Sequence, residues 1–376
     1  PQSLAPSRAV VPVTPPQANG AALAQLADWL RDAKNPLIVT SDAGQNAAAF
    51  DALATLADRL AIAVVEYRPR VASLPSDHPM HAGFDASALL PDADLVIVAD
   101  SDVPWLPGSA QPSASARVVH LGIDPLYERY PMRTFPADLA IEGDTADALQ
   151  HLDALVGTLS PALQALRDAR HRRLSQDHAE RRQRRRGVVF DRMTAAWATR
   201  CIDDVRDDDT VLVNEYPLLS DDLTHRRAHT FFALSSAGGL GWATGAALGI
   251  KLAQPASTVI AAVGDGAYLF GSPTPTHMVG RALGLPVLWV IFNNHRWAAV
   301  HQATTSVFPG GAASRAAVPP LTMLEPAPDY ERLVEAVGGY GERVDRASEL
   351  PAALQRALRV VRDEKRQAVL NVILAD

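Results

Sequence analysis

The chain has 376 residues, 48% of them hydrophobic and 20% charged, with a net charge of −7, which suits a globular protein with more than one core and excludes a disordered or fibrous chain. The negative balance argues against a general nucleic-acid binder, no apolar run reaches membrane-span length, and no secretory leader is expected. A single cysteine, Cys201, cannot close an internal disulfide, so a reducing cytoplasm is expected and Cys201 reads as helix packing.

Residues 1–20, PQSLAPSRAVVPVTPPQANG, are rich in proline and small residues and read as a linker. Residues 21–158 alternate helical and buried-strand patterns. LAQLADWLRDA and FDALATLADRL have helical spacing, while PLIVT, AIAVV, DADLVIVAD, ARVVHLGID and DLAIEGD are strand candidates. Such alternation implies crossover connections and a parallel sheet. Residues 159–187 contain LRDARHRRLSQDHAERRQRRRG, read as a helical connector whose arginines meet carboxylates elsewhere. A nucleic-acid or membrane patch is the other reading, and the lack of interleaved aromatics counts against it.

Residues 188–376 repeat the α/β alternation. GVVFDRMTAAWATRCIDDV reads as a helix, TVLVNEY as a strand and GLGWATGAALGIKLA as a glycine- and alanine-rich helix. STVIAAVGDG is a strand, PTHMVGRALGL a helix and PVLWVIFNN a strand, and the tail closes with LPAALQRALRVVRDEK and the strand AVLNVILAD. The fold class expected is α/β, with two doubly wound parallel-sheet domains.

The chemistry centres on VIAAVGDGAYLF, where a buried strand ends in Asp265 between Gly264 and Gly266. Alone, Gly-Asp-Gly is a turn. The next strand, however, runs into Asn293-Asn294, and neighbouring parallel strands end on the same edge, where open α/β folds bind ligands. A carboxylate and an amide oxygen, without histidine or cysteine ligands, suit Mg²⁺ that takes its remaining oxygens from phosphate. Glycines let the backbone approach such a phosphate, and PTPTHMVGRAL offers a helix N-terminus.

This pairing resembles the diphosphate-binding motif of the thiamine-diphosphate enzymes, in the branch of benzoylformate decarboxylase, pyruvate decarboxylase and acetolactate synthase. SSAGGLGWATGAALGIKLAQP is similar to the segment before the family's Gly-Asp-Gly strand, and RVVHLGIDPLYERYPMRTFPADLAIEGD to the end of its central domain. The resemblance implies that Asp265, Asn294 and the Arg296 carbonyl hold Mg²⁺. Gly264, Gly266, Ala267 and Trp297, with Pro217 and Leu218 after VLVNEY, would lie near the diphosphate. Gly238 and Gly239 would meet the cofactor, Gly238 offering its carbonyl to the 4′-amino group, with Leu240 the apolar wedge beneath the bent cofactor. Tight helix–strand packing accounts for the glycines of Gly238 to Gly241 equally well.

The sequence departs from the family in three ways. The interval from Asp265 to Asn294 is slightly longer, with the surplus in FGSPTPT. No histidine stands in Asp102-Val103-Pro104-Trp105-Leu106-Pro107, where benzoylformate decarboxylase carries one, so Trp105 is expected to line the substrate pocket instead. The family's pyrimidine-binding domain, with the glutamate that activates the cofactor, has no counterpart in these residues. A separate pyrimidine-domain polypeptide, cleavage or shortening is therefore expected, within a homo- or hetero-oligomer.

Downstream of Asn294, Ala299 and Ala303 share a helical face with Val300 beside them, which reads as room for a bulky acyl group or a second carbonyl substrate, or equally as packing. His295 is a proton-transfer candidate or a packing residue, His301 a surface histidine and His277 structural. The activity implied is decarboxylation of a 2-oxo acid by a lyase, giving an aldehyde or, with a second carbonyl, an acyloin. The alternatives are acetolactate-synthase-like acyl transfer and a non-catalytic or regulatory subunit. A dehydrogenase is disfavoured by the absence of G-x-G-x-x-G after a first strand, although FAD or ADP in the central domain stays open.

Overall fold

Five apolar runs of the first half become strands β1 (Pro36–Thr40), β2 (Ala63–Glu66), β3 (Leu95–Ala99), β4 (Arg117–Gly122) and β5 (Leu139–Glu142) in a computed structural model that describes residues 11–233, 238–318 and 321–375. They form one parallel sheet in the order β2-β1-β3-β4-β5. Every residue of β1, β2 and β3 is buried, as expected for parallel strands covered on both faces. The covering helices α1 (Gly20–Asp32), α2 (Ala47–Leu60) and α3 (Thr145–Val156) begin where Asn19, Asn46 and Asp144 accept backbone N–H bonds as N-caps.

Helix α4 (Pro161–Arg186) leads to the second unit, in which Leu174 and His178 are the buried residues of the helix. Its arginines extend the sequence expectation, because Arg167, Arg184 and Arg185 meet carboxylates while Arg167, Arg170, Arg181 and Arg182 also or instead meet backbone carbonyls. Arg167 donates to Arg59 and Asp58, and Arg170 to Leu60 and Ala61, at the C-terminal end of α2. Arg181 and Arg182 reach the carbonyls of His81 and Ser76, and Arg185 pairs with Asp221 at 2.8 Å. The last carbonyls of a helix lack intrahelical donors and carry the negative end of its dipole, which guanidinium groups satisfy.

The second sheet contains β6 (Val211–Glu215), β7 (Phe231–Ala233), β8 (Val259–Gly264), β9 (Leu288–Asn293), β10 (Tyr340–Val344) and β11 (Ala368–Ile373), all parallel, in the order β10-β11-β9-β8-β6-β7. Its helices are α5 (Ala195–Val205), α6 (Trp242–Ala253), α7 (Asp265–Phe270), α8 (Pro273–Ala282), α9 (Ala298–Val307), α10 (Ala312–Arg315), α11 (Tyr330–Glu335) and α12 (Leu350–Arg362). Along β8, Ile260 and Ala262 enter the core beneath α12, while Val259, Ala261 and Val263 enter the core shared with α6 and Tyr330. That period of two, apolar on both faces, makes the sheet doubly wound.

Local readings change at the start of α5 and in the number of short elements. Helix α5 starts only at Ala195, because the Thr194 side chain caps Trp197 N and leaves GVVFDRM outside. Strands β7 and β10, and the short helix α7, are additions to the elements read from the sequence. Cys201 is buried, its thiol pushed up to about 12 mainly by burial, which leaves it in the packing role expected. Of the expected linker, residues 1–10 lie outside the described residues, and Pro16 accepts a backbone bond from Asp144.

Candidate active site: a buried aspartate at the strand edge

Strands β8 and β9 pair in register from Ile260–Leu288 to Gly264–Phe292, so their C-terminal ends open onto one edge. Asp265 stands there as the first residue of α7 and is 2% exposed. Its Oδ1 accepts the Gly266 amide at 2.9 Å, whereas its buried Oδ2 has no hydrogen-bond partner. Burial pushes the carboxyl above its ordinary range, opposed by the amides of Gly266, His295 and Arg296. Buried polar atoms are normally satisfied, so an unfilled carboxylate oxygen is the site's main chemical signal.

The end of β9 supplies the opposite wall. Asn293 accepts His295 N and donates to Asn371 Oδ1, each at 3.1 Å, and Asn371 donates to Glu331 Oε2 at 2.8 Å. Asn294 Oδ1 accepts Arg296 N at 3.1 Å, and the Arg296 carbonyl accepts Ala298 N at 2.9 Å. Two further bonds, Trp297 N to Thr322 O and Leu324 N to His295 O, brace this turn, in which His295 has a φ of 58°. The Asn294 side chain and the Arg296 carbonyl present oxygens on this turn. With Asp265 they would make up an all-oxygen donor set containing one carboxylate. Among the described residues no group of three or more His, Cys, Asp or Glu could hold a metal ion. The set fits Mg²⁺, which binds few protein groups and fills its octahedron with water and phosphate.

Asp265's glycine neighbours differ physically. A Cβ on Gly266 would lie 2.5 Å from the Trp297 ring, so the indole occupies the space a side chain needs. A Cβ on Gly264 would meet nothing within 4 Å, leaving that side open for approach of a ligand. Ala267 is buried in α7. Gly238 and Gly239 are exposed and Leu240 is half-buried. Gly238 has a φ of 63°, and residues 235–237, the first three of the resembling segment, lie outside the described residues.

Glu215, absent from the sequence reading, organises this loop. It is 1% exposed at the end of β6, and its two carboxylate oxygens accept Gly241 N and Ala243 N. The signal available was a lone carboxylate ending a buried strand, in VLVNEY. Pro217 is half-buried next to it. Leu218 has its amide and carbonyl tied down by Asn214, and its side chain enters the core. Trp105 requires a correction. It is 2% exposed in the first domain's core, edge-on to Phe135 at 5.2 Å, and so does not line a pocket.

Ala299, Val300 and Ala303 lie exposed on α9, which buries none of its residues. His295 Nδ1 is 3.8 Å from Glu325, beside a cavity of about 510 Å³ lined by Asn293, Ala327 and Arg343. His277 is a core residue between Tyr268 and Gln367. In the first domain, a cavity of about 310 Å³ sits where strand order reverses between β1 and β3. Asp42, Asp100, Asp124 and Asp144 line it, and Asp144 already caps the amide of Asp147.

The profile described as the C-terminal TPP binding domain of thiamine pyrophosphate enzymes matches residues 219–372, and that of their central domain matches residues 23–152. The chain is 23% identical over 347 residues to the acetolactate synthase large subunit of Haemophilus influenzae, covering 87% of this chain and 57% of that protein. It is also 23% identical over 374 residues to 2-hydroxyacyl-CoA lyase 1 of Mus musculus, covering 95% of this chain and 62% of that one. The chain thus spans about three-fifths of the length of these curated relatives. The crystal structure of benzoylformate decarboxylase from Polynucleobacter necessarius shares the fold, with a TM-score of 0.74 at 20% identity over 99% of this chain and 68% of that one. With both of its sheets matched by the central and cofactor-binding domains, the chain belongs to the thiamine pyrophosphate enzyme family.

Proposed function

We propose that the chain carries the Mg²⁺–diphosphate half of an enzyme that cleaves a 2-oxo acid, completed by a pyrimidine-binding unit within an oligomer. The observation that carries this reading is the buried, unpartnered Oδ2 of Asp265, facing a turn that offers the Asn294 and Arg296 oxygens. These three groups would hold Mg²⁺, and the Gly266 and Ala267 backbone would meet the diphosphate across the open side at Gly264. When bound, thiamine diphosphate supplies a thiazolium ring that acts as an electron sink for the loss of CO₂.

The chain's own residues bind, orient and shield. Leu240 places an apolar side chain under the cofactor, and Glu215 fixes the loop that presents it and the Gly238 and Gly239 backbone. Trp297 closes the side of Gly266. His295, near Glu325 and an open cavity, is the group suited to moving a proton to or from a bound carbonyl compound. The exposed Ala299, Val300 and Ala303 leave space for the acyl portion of the substrate. The four aspartates around the first-domain cavity would repel a diphosphate, so that domain reads as a scaffold and not as an FAD or ADP site.

Lyase chemistry is the first reading and acetolactate-synthase-like acyl transfer the second; an aldehyde product distinguishes the first from the longer hydroxyketone of the second. A non-catalytic subunit would have no need of the metal pair. No described helix is long and apolar enough to cross a membrane, and the one buried thiol suits the cytoplasm. Calorimetric titration of thiamine diphosphate with and without Mg²⁺ tests the reading. Asp265→Ala should abolish the Mg²⁺-dependent part, and unchanged Mg²⁺-dependent binding would remove the assignment.

A further inference from the structure

Tyr330 opens α11 on the side of the sheet where α7 begins, 65 positions after Asp265 in the chain. Its side chain is 0% exposed and its hydroxyl has no hydrogen-bond partner. The ring stands edge-on to Tyr268 at 5.9 Å, and Tyr268 belongs to the helix that Asp265 starts. Tyr268 itself is satisfied through His277, whereas Tyr330 and Asp265 Oδ2, like Trp289 Nε1 in the same core and His295 Nδ1 at the turn, lack partners. Burial raises the Tyr330 phenol far above its ordinary range, and the Asp265 charge adds to the rise.

The next residue, Glu331, supports the other wall through Asn371 and Asn293. The first two residues of α11 therefore address both sides of the candidate cation site. Tyr330 packs against the helix that Asp265 starts, and two buried polar atoms so held, neither with a partner, call for a bridging group. Mg²⁺ retains several waters, and such waters hydrogen-bond buried hydroxyls.

We propose that Tyr330 is a positioning residue for the cation, its hydroxyl hydrogen-bonding a water of the coordination shell held at Asp265. The proposal rests on the Mg²⁺ reading of the site. It accounts for a tyrosine at a core position where phenylalanine would fill the same space with no unsatisfied group.

The test compares the chain with its Tyr330→Phe and Asp265→Asn variants. Each is titrated with Mg²⁺ in the presence of thiamine diphosphate, with intrinsic tryptophan fluorescence as the signal, and its Mg²⁺-free unfolding midpoint in urea is measured. Loss of a group that orients the shell of a bound metal weakens affinity by about 10–100-fold. Tyr330→Phe should show a loss of that order, an altered electron paramagnetic resonance spectrum of bound Mn²⁺, and a Mg²⁺-free midpoint equal to or above that of the parent. If Tyr330→Phe binds Mg²⁺ within twofold of the parent, the proposal is overturned while the site reading stands. If the parent itself shows no Mg²⁺ binding, or Asp265→Asn binds as the parent does, both are overturned.

Discussion

Asp100 offers a quantitative test of the electrostatics at the first-domain cavity. It follows β3 with a φ of 46°, and a Cβ built on Gly122 would lie 2.4 Å from its Oδ1. Its carboxyl is pushed up to about 6 from 3.8, mainly by burial, with Asp42 and Asp144 adding and Thr145 opposing. The folded state therefore binds this proton more tightly than the unfolded chain. Above pH 6 the ionised group destabilises the fold, and that penalty disappears as pH falls through 6 toward 3.8. A displacement of about two pH units corresponds to a ceiling of about 3 kcal/mol at 1.36 kcal/mol per unit. Asp100 is partly open to the cavity, and solvent screening trims this to about 1–2 kcal/mol. Asn tolerates the left-handed backbone and lacks the charge, so Asp100→Asn should be more stable than the parent by that amount at pH 8. The difference should shrink on acidification and vanish near pH 4, measured by urea denaturation of both proteins at pH 8, 6 and 4.5. A gap that is constant with pH, or a variant less stable at pH 8, would refute the assignment of the strain to charge burial.

Two substitutions probe the cofactor edge. In Gly266→Ala the new methyl begins 2.5 Å from the Trp297 ring, against an ordinary contact of 3.4 Å or more, so the indole must retreat by almost an ångström. Destabilisation of about 1–3 kcal/mol is expected, with a shifted Trp emission spectrum, whereas Gly264→Ala, with nothing within 4 Å, should leave both unchanged. Equal effects at the two glycines would show that steric exclusion by Trp297 is not the reason for Gly266. Glu215→Ala leaves the Gly241 and Ala243 amides without their buried acceptor; two bonds to a charged group are worth roughly 3–6 kcal/mol together. Urea denaturation should show a loss of that order, and Glu215→Gln, which keeps one acceptor oxygen, should lose about half. A loss below about 1 kcal/mol for the alanine variant would mean that the amides find other partners.

The parts legible in the sequence are those whose physics is local or periodic. β8 and β9 announce themselves because a parallel strand covered on both faces must be apolar throughout, and their polar ends, Asp265 and Asn294, then stand out as residues that the core does not require. The two-sheet architecture follows from the same alternation. What stays hidden depends on partners far along the chain. Trp105 sits in Asp-Val-Pro-Trp-Leu-Pro, a loop composition that suggests a pocket wall, yet Phe135 draws it into the core. Arginines on α4 were matched to carboxylates because charge is visible in a sequence, while the free carbonyls ending α2 become acceptors only once that helix exists. β7, three residues long, carries too little pattern to be found before its partner strand is placed.

The same reasoning explains why Glu215 and Tyr330 were missed although they bear directly on the site. Each lies in a stretch that reads as core, and each has a polar atom whose purpose depends on a loop or charge elsewhere: Gly241 and Ala243 for Glu215, Asp265 for Tyr330. Satisfied and unsatisfied cases then separate their roles. Glu215 is fully bonded within the chain and so fixes the shape of a loop before any ligand arrives. Tyr330 and Asp265 each retain an open valence in a buried position, and a fold that keeps both tolerates a cost which an incoming group would remove. The metal-free chain should therefore be strained at this edge and relaxed by Mg²⁺, which places the coupling between cation binding and stability at α7 and α11 and not in the first domain.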